Sequence, residues 1–231
     1  MRRRFFVGEV RNGHAQIDGD DARHLTRVLR VEAGQRYEIS DNRNVYLAEI
    51  ETARKEHVVF RTLEKLESPV SGPRLILCVA LFKFDRFEWM IEKATELGVS
   101  EIVPVETTRS EHGLERAAHK RVERWRRIAL EASQQSRRAF LPVIAEPHSL
   151  RDALAIDATR RLVLDEACSG SIPIPLADSI ALLVGPEGGW TDEERALFGS
   201  WTPVSLGPLI LRAETAAITA LAIVGNASRL K

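Results

Sequence analysis

Arg212 and Glu214 are a pair of side chains suited to proton transfer and anion stabilisation. A carboxylate can accept a proton from a reacting group, and a guanidinium can stabilise the negative charge that remains. Both residues directly follow an apolar stretch that contains a glycine, LGPLIL at 206–211. The alternative interpretation is a structural ion pair at the start of a helix, where the helix dipole also favours a glutamate.

A second glycine-containing stretch, GPEGG at 185–189, ends the apolar run LLV at 182–184. Glycine has no Cβ, so such a loop lets backbone N–H groups approach a ligand closely. The helix predicted after it begins with Thr191 and Glu194, which have capping-box spacing, and a helix N-terminus favours negative charge. Because no Lys-Ser or Lys-Thr follows and G-x-G-x-x-G is absent, a P-loop and an ordinary dinucleotide fold are excluded. The two loops predict a cofactor site, with a purely structural turn as the alternative.

Apolar runs and helical patterns alternate in the part of the chain that must position these loops. Besides the run before GPEGG, strands are predicted at 75–81, 101–105, 141–145 and 161–165. Helices are predicted from an Asp85/Glu88 capping box to Gly98, over the basic stretch 117–138, and near residue 150. Strands that are apolar throughout and separated by helices are typical of a parallel sheet covered on both faces. Cys78 is therefore expected in the core.

Residues 1–66 predict a smaller unit with short strands and one helix. Alternation around Tyr37 and Ile39, with β-rich runs at 45–51 and 57–66, indicates strands, and residues 20–30 have a helical pattern with Leu25, Val28 and Leu29 on one side. We expect a small β-barrel domain at 1–70 and an α/β domain at 71–231. Their boundary lies in ESPVSGPR at 67–74, which has the composition of a linker.

Charge is balanced overall but not locally. The chain has 33 basic and 33 acidic residues, whereas eight basic residues stand against two acids between Arg116 and Arg138. Two cysteines and six scattered histidines lack the spacing of a zinc site, so we expect no metal. The longest uncharged stretch, 215–228, is too short to span a bilayer. We therefore expect a cytoplasmic protein without a membrane partner.

The motifs GPEGGWTDEE at 185–194 and LGPLILRAETA at 206–216 resemble two signatures of the SPOUT methyltransferases. The resemblance is specifically to the family that methylates N3 of a uridine in bacterial 16S ribosomal RNA. Further similar stretches are HLTRVLRVEAGQ at 24–35, WMIEKATELGVSEIVP at 89–104 and ERWRRIALEASQQSRR at 123–138. The resemblance implies an amino-terminal PUA-like RNA-binding domain and a carboxy-terminal SPOUT α/β domain. That domain would carry a deep trefoil knot, with the loop at 167–175 as a candidate edge.

The resemblance also implies that S-adenosylmethionine binds against three knot loops. The residues that would contact it are Leu164, Val184, Gly185, Pro186, Glu187, Gly188, Leu206, Gly207, Ile210 and Leu211. Leu206 and Leu211 would pack on the adenine while main-chain groups read its edge. Arg212 and Glu214 would then be catalytic, with the carboxylate taking the N3 proton and the guanidinium stabilising charge on the uracil oxygens.

The implied substrate is 16S ribosomal RNA, either free or in the small ribosomal subunit. Basic residues in three parts of the chain are expected to contact it: Arg2, Arg3, Arg4, His24, Arg27, Arg30, Arg124, Arg137 and Arg138. His24, Arg27 and Arg30 are predicted on one helical face, for which a solvated polar face is the alternative.

The chain departs from the family pattern at two turns. Asn42 and Asn44 stand where a glycine-rich turn is usual. Gln135, Ser136 and Arg138 match a Gln-Ser-x-Arg pattern, but Arg137 replaces the usual glycine within it.

The stretch 215–228 predicts a helix that is apolar or small on nearly every side. Such a helix has to be buried all round, so one side would cover the sheet and the other would meet a second copy of the chain. The resemblance likewise implies a homodimer with the site close to its interface.

Two other functions stay open. A related SPOUT enzyme would methylate a ribose 2′-hydroxyl, and only the whole-chain pattern argues against it. A non-catalytic RNA-binding ribosome assembly factor would keep the arginines and lose the cofactor loops. Both loops are intact, which disfavours that interpretation.

Overall fold

The computed structural model describes residues 4–67, 72–111, 113–172 and 177–227, which fall into two units. The first unit comprises Met1–Val70 and Ser133–Leu141, and the second comprises Ser71–Ala132 and Pro142–Lys231. The segment Ser133–Leu141 therefore belongs with the first unit, which a single division near residue 70 does not provide for. Arg2, Arg3, most of the linker's first half and the last part of the predicted knot loop lie outside the described residues.

The first unit is a five-stranded sheet with one helix. Its elements are β1 (Arg4–Phe6), β2 (His14–Asp18), α1 (Gly19–Arg27), β3 (Arg36–Ser40), β4 (Val45–Arg54) and β5 (His57–Leu66). The strands pair in the order β1-β3-β4-β5-β2, and alternate residues such as Phe5, Ile39 and Phe60 form its core. Among the described residues β1 and β2 are the two edge strands and do not pair with each other, so the sheet does not close into the expected barrel by backbone hydrogen bonds.

Helix α1 is shorter than the pattern at 20–30 predicts. It ends at Arg27, and the N–H of Val31 returns to the carbonyl of Leu25 at 3.1 Å, with Arg30 at a φ of 52° between them. A left-handed residue at this point turns the chain out of the helix, and the bond from Val31 closes the turn. Leu25 is buried as predicted, but Val28 is 64% exposed. Arg30 therefore does not continue the helical face of His24 and Arg27.

The second unit contains a parallel sheet flanked by helices. Its elements are β6 (Arg74–Ala80), α2 (Phe84–Glu96), β7 (Glu101–Glu106), α3 (Leu114–His119), α4 (Val122–Gln135), β8 (Val143–Ile144), β9 (His148–Ser149), α5 (Leu150–Leu154), β10 (Arg160–Leu164), β11 (Ser179–Val184), α6 (Asp192–Arg195), β12 (Thr202–Val204) and α7 (Ala213–Ala227). The strand order is β12-β10-β11-β6-β7-β8, with β9 beside β7. Every one of these pairings is parallel, as the sequence predicts.

Burial on both faces explains why these strands are apolar throughout. In β6, Leu75, Leu77 and Val79 belong to one core, and Ile76 and Cys78 belong to the core on the opposite face. Successive side chains of a strand point to opposite faces, so a sheet covered twice needs an apolar residue at every position. Cys78 is buried as predicted, and this burial raises the pKa of its thiol.

Two predicted helices differ in the structure. Helix α2 begins at Phe84 with Lys83 as its N-cap residue, so Asp85 lies within the first turn and the predicted Asp85/Glu88 capping box does not form. Glu88 accepts hydrogen bonds from Arg124 and Arg121. The basic stretch 117–138 forms two helices, α3 and α4, and the second ends at Gln135. Arg137 then has a φ of 58°, which cannot continue a right-handed helix.

The turn at 41–44 keeps a left-handed residue without glycine. Asn42 has a φ of 62°, a conformation that asparagine tolerates better than most residues. Asp41 Oδ1 accepts hydrogen bonds from the N–H groups of Arg43 and Asn44 at 2.9 and 2.6 Å. This Asx turn replaces the conformational freedom of a glycine with side-chain hydrogen bonds.

Candidate cofactor site

A cavity of about 320 Å³ lies where β10, β11 and β12 end. Because these strands are parallel, the loops that follow them meet at one edge of the sheet, where α/β proteins usually bind ligands. The walls include all ten residues predicted to contact the cofactor: Leu164, Val184, Gly185, Pro186, Glu187, Gly188, Leu206, Gly207, Ile210 and Leu211. The structure therefore brings three loops that are distant in sequence into one site.

The GPEGG loop needs glycine at two positions, Gly185 and Gly189. Trp190 is buried, and its Nε1 donates to the carbonyl of Leu164 at 2.9 Å. A Cβ on Gly185 would lie 2.8 Å from the ring of Trp190. Gly189 has a φ of 70°, and a Cβ there would lie 2.5 Å from Oε1 of Glu166. A side chain at Gly185 would meet the buried Trp190 ring and push the loop away from the end of β10. At Gly189 the constraint is the left-handed backbone, because the exposed Glu166 side chain can move aside.

Arg195 and Asp165 join the same two loops by charge. Arg195 Nε and Nη2 donate to the two oxygens of Asp165 at 2.9 and 3.0 Å, and Nη1 donates to the carbonyl of Trp190 at 2.9 Å. The Arg195 guanidinium holds the pKa of Asp165 below its usual range, and the carboxylate raises the pKa of Arg195. The pair is therefore charged at neutral pH, and it ties the end of the GPEGG loop to the loop after β10.

The chain after β7 supports the GPEGG loop from the other side. Arg109 Nη1 donates to the carbonyl of Gly188 at 2.7 Å. Glu194 completes the predicted capping box with Thr191, and its Oε1 also accepts from the N–H of Thr108 at 2.8 Å. The short helix α6 is thus anchored at its start to the segment that follows β7.

Arg212 and Glu214 lie beside the cavity and do not line it. Arg212 is exposed and makes no side-chain hydrogen bond or ion pair with any residue that the structure describes. Glu214, in the first turn of α7, is 7% exposed, and its Oε2 is buried without a hydrogen-bond partner within the described chain. The two side chains do not pair with each other. Because an unpaired buried oxygen is costly, Glu214 is unusual for a purely structural residue.

Arg86 is a candidate residue that the sequence reasoning missed. It lies in the first turn of α2, after β6 ends at the same edge of the sheet. Its Nη1 is 2.6 Å from Oε1 of Glu187, and its Nε is 3.8 Å from Oε1 of Glu214. One guanidinium thus links a carboxylate of the GPEGG loop to one in the first turn of α7. The available signal was a single arginine at a helix start, which is too common to single out.

The predicted RNA-binding residues of the first unit have different surroundings. Arg4 is 8% exposed, and its guanidinium lies 2.6 Å from Glu38 and donates to the carbonyl of Arg137 at 2.7 Å. Arg4 is thus committed to contacts inside the unit and is not presented to a phosphate. His24, Arg27 and Arg30 are exposed and have no side-chain partner among the described residues.

The other predicted RNA-binding arginines that the structure describes, Arg124, Arg137 and Arg138, form hydrogen bonds or ion pairs within the chain. Arg124 donates two hydrogen bonds of 2.8 Å to Glu88, and Arg137 pairs with Glu38. Arg138 is half-buried and donates to the carbonyl of Phe140 at 3.0 Å, and burial lowers its pKa to about 10. The arginines at 124 and 137 keep exposed surface, so their ion pairs do not prevent a phosphate contact.

The part of the chain that the structure describes has neither a metal-binding cluster nor a membrane-spanning helix. Across the described residues, no cluster of three or more histidine, cysteine, aspartate or glutamate side chains is placed to hold a metal ion. Within the same part of the chain, no helix is long and apolar enough to cross a membrane.

Both halves of the chain match known families. An RNA methyltransferase domain matches residues 70–225, and an RNA methyltransferase PUA domain matches residues 17–63. The ribosomal RNA small subunit methyltransferase E of Rickettsia conorii is 35% identical, over 77% of this chain and 74% of that protein. The protein of the same name from Bacillus subtilis is 32% identical, over 93% and 90%.

Solved structures that are similar to this chain are also methyltransferases. A methyltransferase from Legionella pneumophila in complex with the bound cofactor SAM has a TM-score of 0.89 and 31% identity, covering 98% of both chains. A ribosomal RNA small subunit methyltransferase E from Neisseria gonorrhoeae bound to S-adenosyl methionine has a TM-score of 0.84 and 29% identity, covering 96% of both. With its PUA domain, its parallel sheet and its three-loop cavity, this chain belongs to the ribosomal RNA small subunit methyltransferase E family.

Proposed function

We propose that this protein transfers a methyl group from S-adenosylmethionine to N3 of a uridine in 16S ribosomal RNA. The observation that carries the proposal is the convergence of all three predicted cofactor loops on one cavity, in a chain of this family. The relatives are named for ribosomal RNA of the small subunit, and the two solved relatives hold the cofactor. An rRNA substrate supports a cytoplasmic location for this activity.

The residues of the cavity fit S-adenosylmethionine. Leu164, Val184 and Leu206 supply apolar surface for an adenine, and the glycines leave backbone groups accessible to its polar edge. The carboxylates of Asp165, Glu166 and Glu187 in the walls suit the cationic groups of the cofactor. When bound, the cofactor supplies a methyl group that its sulfonium makes electrophilic.

N3 of uracil is a poor nucleophile while it is protonated, and we assign its deprotonation to Glu214. Oε2 of this residue is buried between cavity-lining residues of the same helix and has no hydrogen-bond partner among the described residues, so no donor of the described chain occupies it. Arg212 is exposed next to the cavity residue Leu211, and its unpaired guanidinium is suited to stabilise the charge that spreads onto the uracil oxygens.

We further propose that domain 1–70 binds the RNA and that domain 71–231 carries the trefoil knot. The exposed His24, Arg27 and Arg30 support the first assignment. Contacts of the β10–β11 connection with the chain after β12 support the second, since the N–H of Ser205 donates to the carbonyl of Gly170 at 2.6 Å. Strand β11 also lies between β10 and β6, out of chain order.

We propose that the protein acts as a homodimer through α7. On this helix Ala222 and Ile223 are exposed, and Leu209 and Ile210, in the loop before it, are exposed as well. Apolar surface of this kind, on a helix without charge after its first turn, is suited to a second copy of the chain.

The position of methylation is tested by incubating 16S ribosomal RNA or small subunits with the protein and S-adenosylmethionine, followed by mass analysis of the nucleosides. We expect 3-methyluridine, which also stops reverse transcriptase because N3 lies on the pairing edge. Formation of 2′-O-methyluridine would support the ribose methyltransferase instead. RNA binding without methyl transfer would support an assembly factor.

The role of Glu214 is tested by Glu214→Gln, which keeps the size and removes the base. Single-turnover methylation should slow by about 10²–10⁴-fold, while S-adenosylmethionine affinity stays near that of the wild type. Raising the pH should partly restore the rate, because hydroxide then deprotonates N3. Glu193→Gln, at an exposed position in α6, is the matched control. A normal rate in Glu214→Gln would leave Glu214 with a structural role.

A further inference from the structure

The wall of the cofactor cavity is acidic. Three carboxylates line it, and no lysine, arginine or histidine of the described chain does. Asp165 is bound by Arg195, which also lies 3.8 Å from Glu166. Glu187 is different, because its side chain is 47% exposed and its cation is Arg86. Arg86 is shared with the buried Glu214, so one guanidinium faces two carboxylates.

We propose that Glu187 makes the cavity bind cationic S-adenosylmethionine more tightly than the neutral product, S-adenosylhomocysteine, and that Arg86 limits this preference. The inference rests on the proposed function. Methyl transfer breaks the bond between the methyl carbon and sulfur and leaves its electron pair on sulfur, so the product has lost the sulfonium charge. Apart from the missing methyl group, the two molecules are alike. Interactions with that charge therefore decide the ratio of their affinities.

The sign of each contribution follows from Coulomb's law. A carboxylate in the wall attracts the sulfonium and has little effect on a thioether. The Arg86 guanidinium, 2.6 Å from Glu187, opposes the attraction, but only in part, because it also faces Glu214. Glu187 is half exposed, so solvent screens it, and we expect a preference of about three- to tenfold rather than several hundredfold. A product that has lost its attraction dissociates more readily after the reaction.

Calorimetry of the intact protein tests the preference without measuring methylation. The probes are S-adenosylmethionine, S-adenosylhomocysteine and sinefungin, whose amine restores a positive charge in place of the sulfonium. The wild type should bind both cationic probes about three- to tenfold more tightly than S-adenosylhomocysteine. Glu187→Gln should reduce this ratio to near one while leaving S-adenosylhomocysteine affinity almost unchanged. Arg86→Met should increase the ratio of the affinity for the cationic probes to that for S-adenosylhomocysteine. Arg86→Lys keeps the positive charge and should have a ratio close to that of the wild type.

The controls separate this inference from its premise. Glu166→Gln changes another carboxylate of the same wall and should keep most of the ratio. If only Glu166→Gln abolishes the preference, or if Glu187→Gln weakens all three probes equally, the inference about Glu187 is wrong. A narrower ratio in a folded Arg86→Met protein would overturn the opposing role of Arg86. If none of the probes binds to the wild type, the proposed function itself fails.

Discussion

Replacing Asp165 by Asn should loosen the cofactor site and destabilise the second unit. The substitution keeps the size of the side chain and removes the charge that receives two hydrogen bonds from Arg195 at 2.9 and 3.0 Å. Breaking a fully buried ion pair costs about 3–5 kcal/mol. Asp165 is buried, but Arg195 keeps part of its exposure and its bond to the carbonyl of Trp190, so we expect a loss of about 2 kcal/mol.

Tryptophan fluorescence during denaturation reports this loss selectively. The chain has four tryptophans, at 89, 125, 190 and 201, and all lie in the second unit. A loss of about 2 kcal/mol should lower the Tm of that transition by about 4–8 °C. Asp192→Asn is a matched control, because Asp192 is a second partner of Arg195 at 3.5 Å but its side chain is 97% exposed. Its effect should stay within about 0.5 kcal/mol.

The pH dependence of this loss in unfolding free energy tests whether the charge of Asp165 causes it. The folded-state pKa of Asp165 is depressed, so its contribution is complete above the ordinary aspartate pKa of about 3.9 and is lost as pH falls through the lower folded-state value. The difference in unfolding free energy between wild type and Asp165→Asn should therefore be constant from neutral pH to about pH 5 and shrink below about pH 4. Equal losses in Asp165→Asn and Asp192→Asn, or a difference that does not respond to acid, would refute the reasoning.

Three further outcomes are expected. Gly188→Val should abolish S-adenosylmethionine binding, because Gly188 lines the cavity and a side chain there would block the close approach of the loop's backbone to the cofactor. The fold should be retained, because the added Cβ would lie 3.3 Å from the side chain of Arg109, which can shift by a few tenths of an ångström. Calorimetry with Gly8→Ala as control checks this, and an unchanged affinity would remove the loop from the site. Arg27→Gln should lower the slope of log affinity for RNA against log salt by about one unit, whereas a slope equal to that of the wild type would exclude Arg27 from phosphate contact. Ala222→Arg should convert a dimer into a monomer in sedimentation, since it places an unpaired charge in the proposed interface; a wild type that is already monomeric at micromolar concentration would contradict that interface.

Local sequence was sufficient for most strands of the parallel sheet and for the two glycine-containing loops, whereas the short strands β9 and β12 were not predicted. A strand that packs on both faces is apolar at every position, as β6 is, and this pattern is readable without any partner. Glycine marks points where the backbone has to come close to another group, as Gly185 does to Trp190. Both signals lie within a few residues of the feature that they predict. The ten candidate cofactor residues were chosen by the family resemblance, and all ten line one cavity.

Only the tertiary structure determines which partners the charged residues around that cavity have. Arg86 meets Glu187 across 101 positions, Arg109 meets Gly188 across 79, and Arg195 meets Asp165 across 30. Likewise Arg4 turns inward to Glu38, 34 positions away. Arginines on helices can pair with carboxylates three or four residues away, as Arg127 does with Glu131, but the four arginines above have partners that are distant in sequence. Only the packing of distant elements determines which carboxylate or carbonyl each of these arginines reaches, and hence whether it supports the fold, the cofactor loops or the substrate.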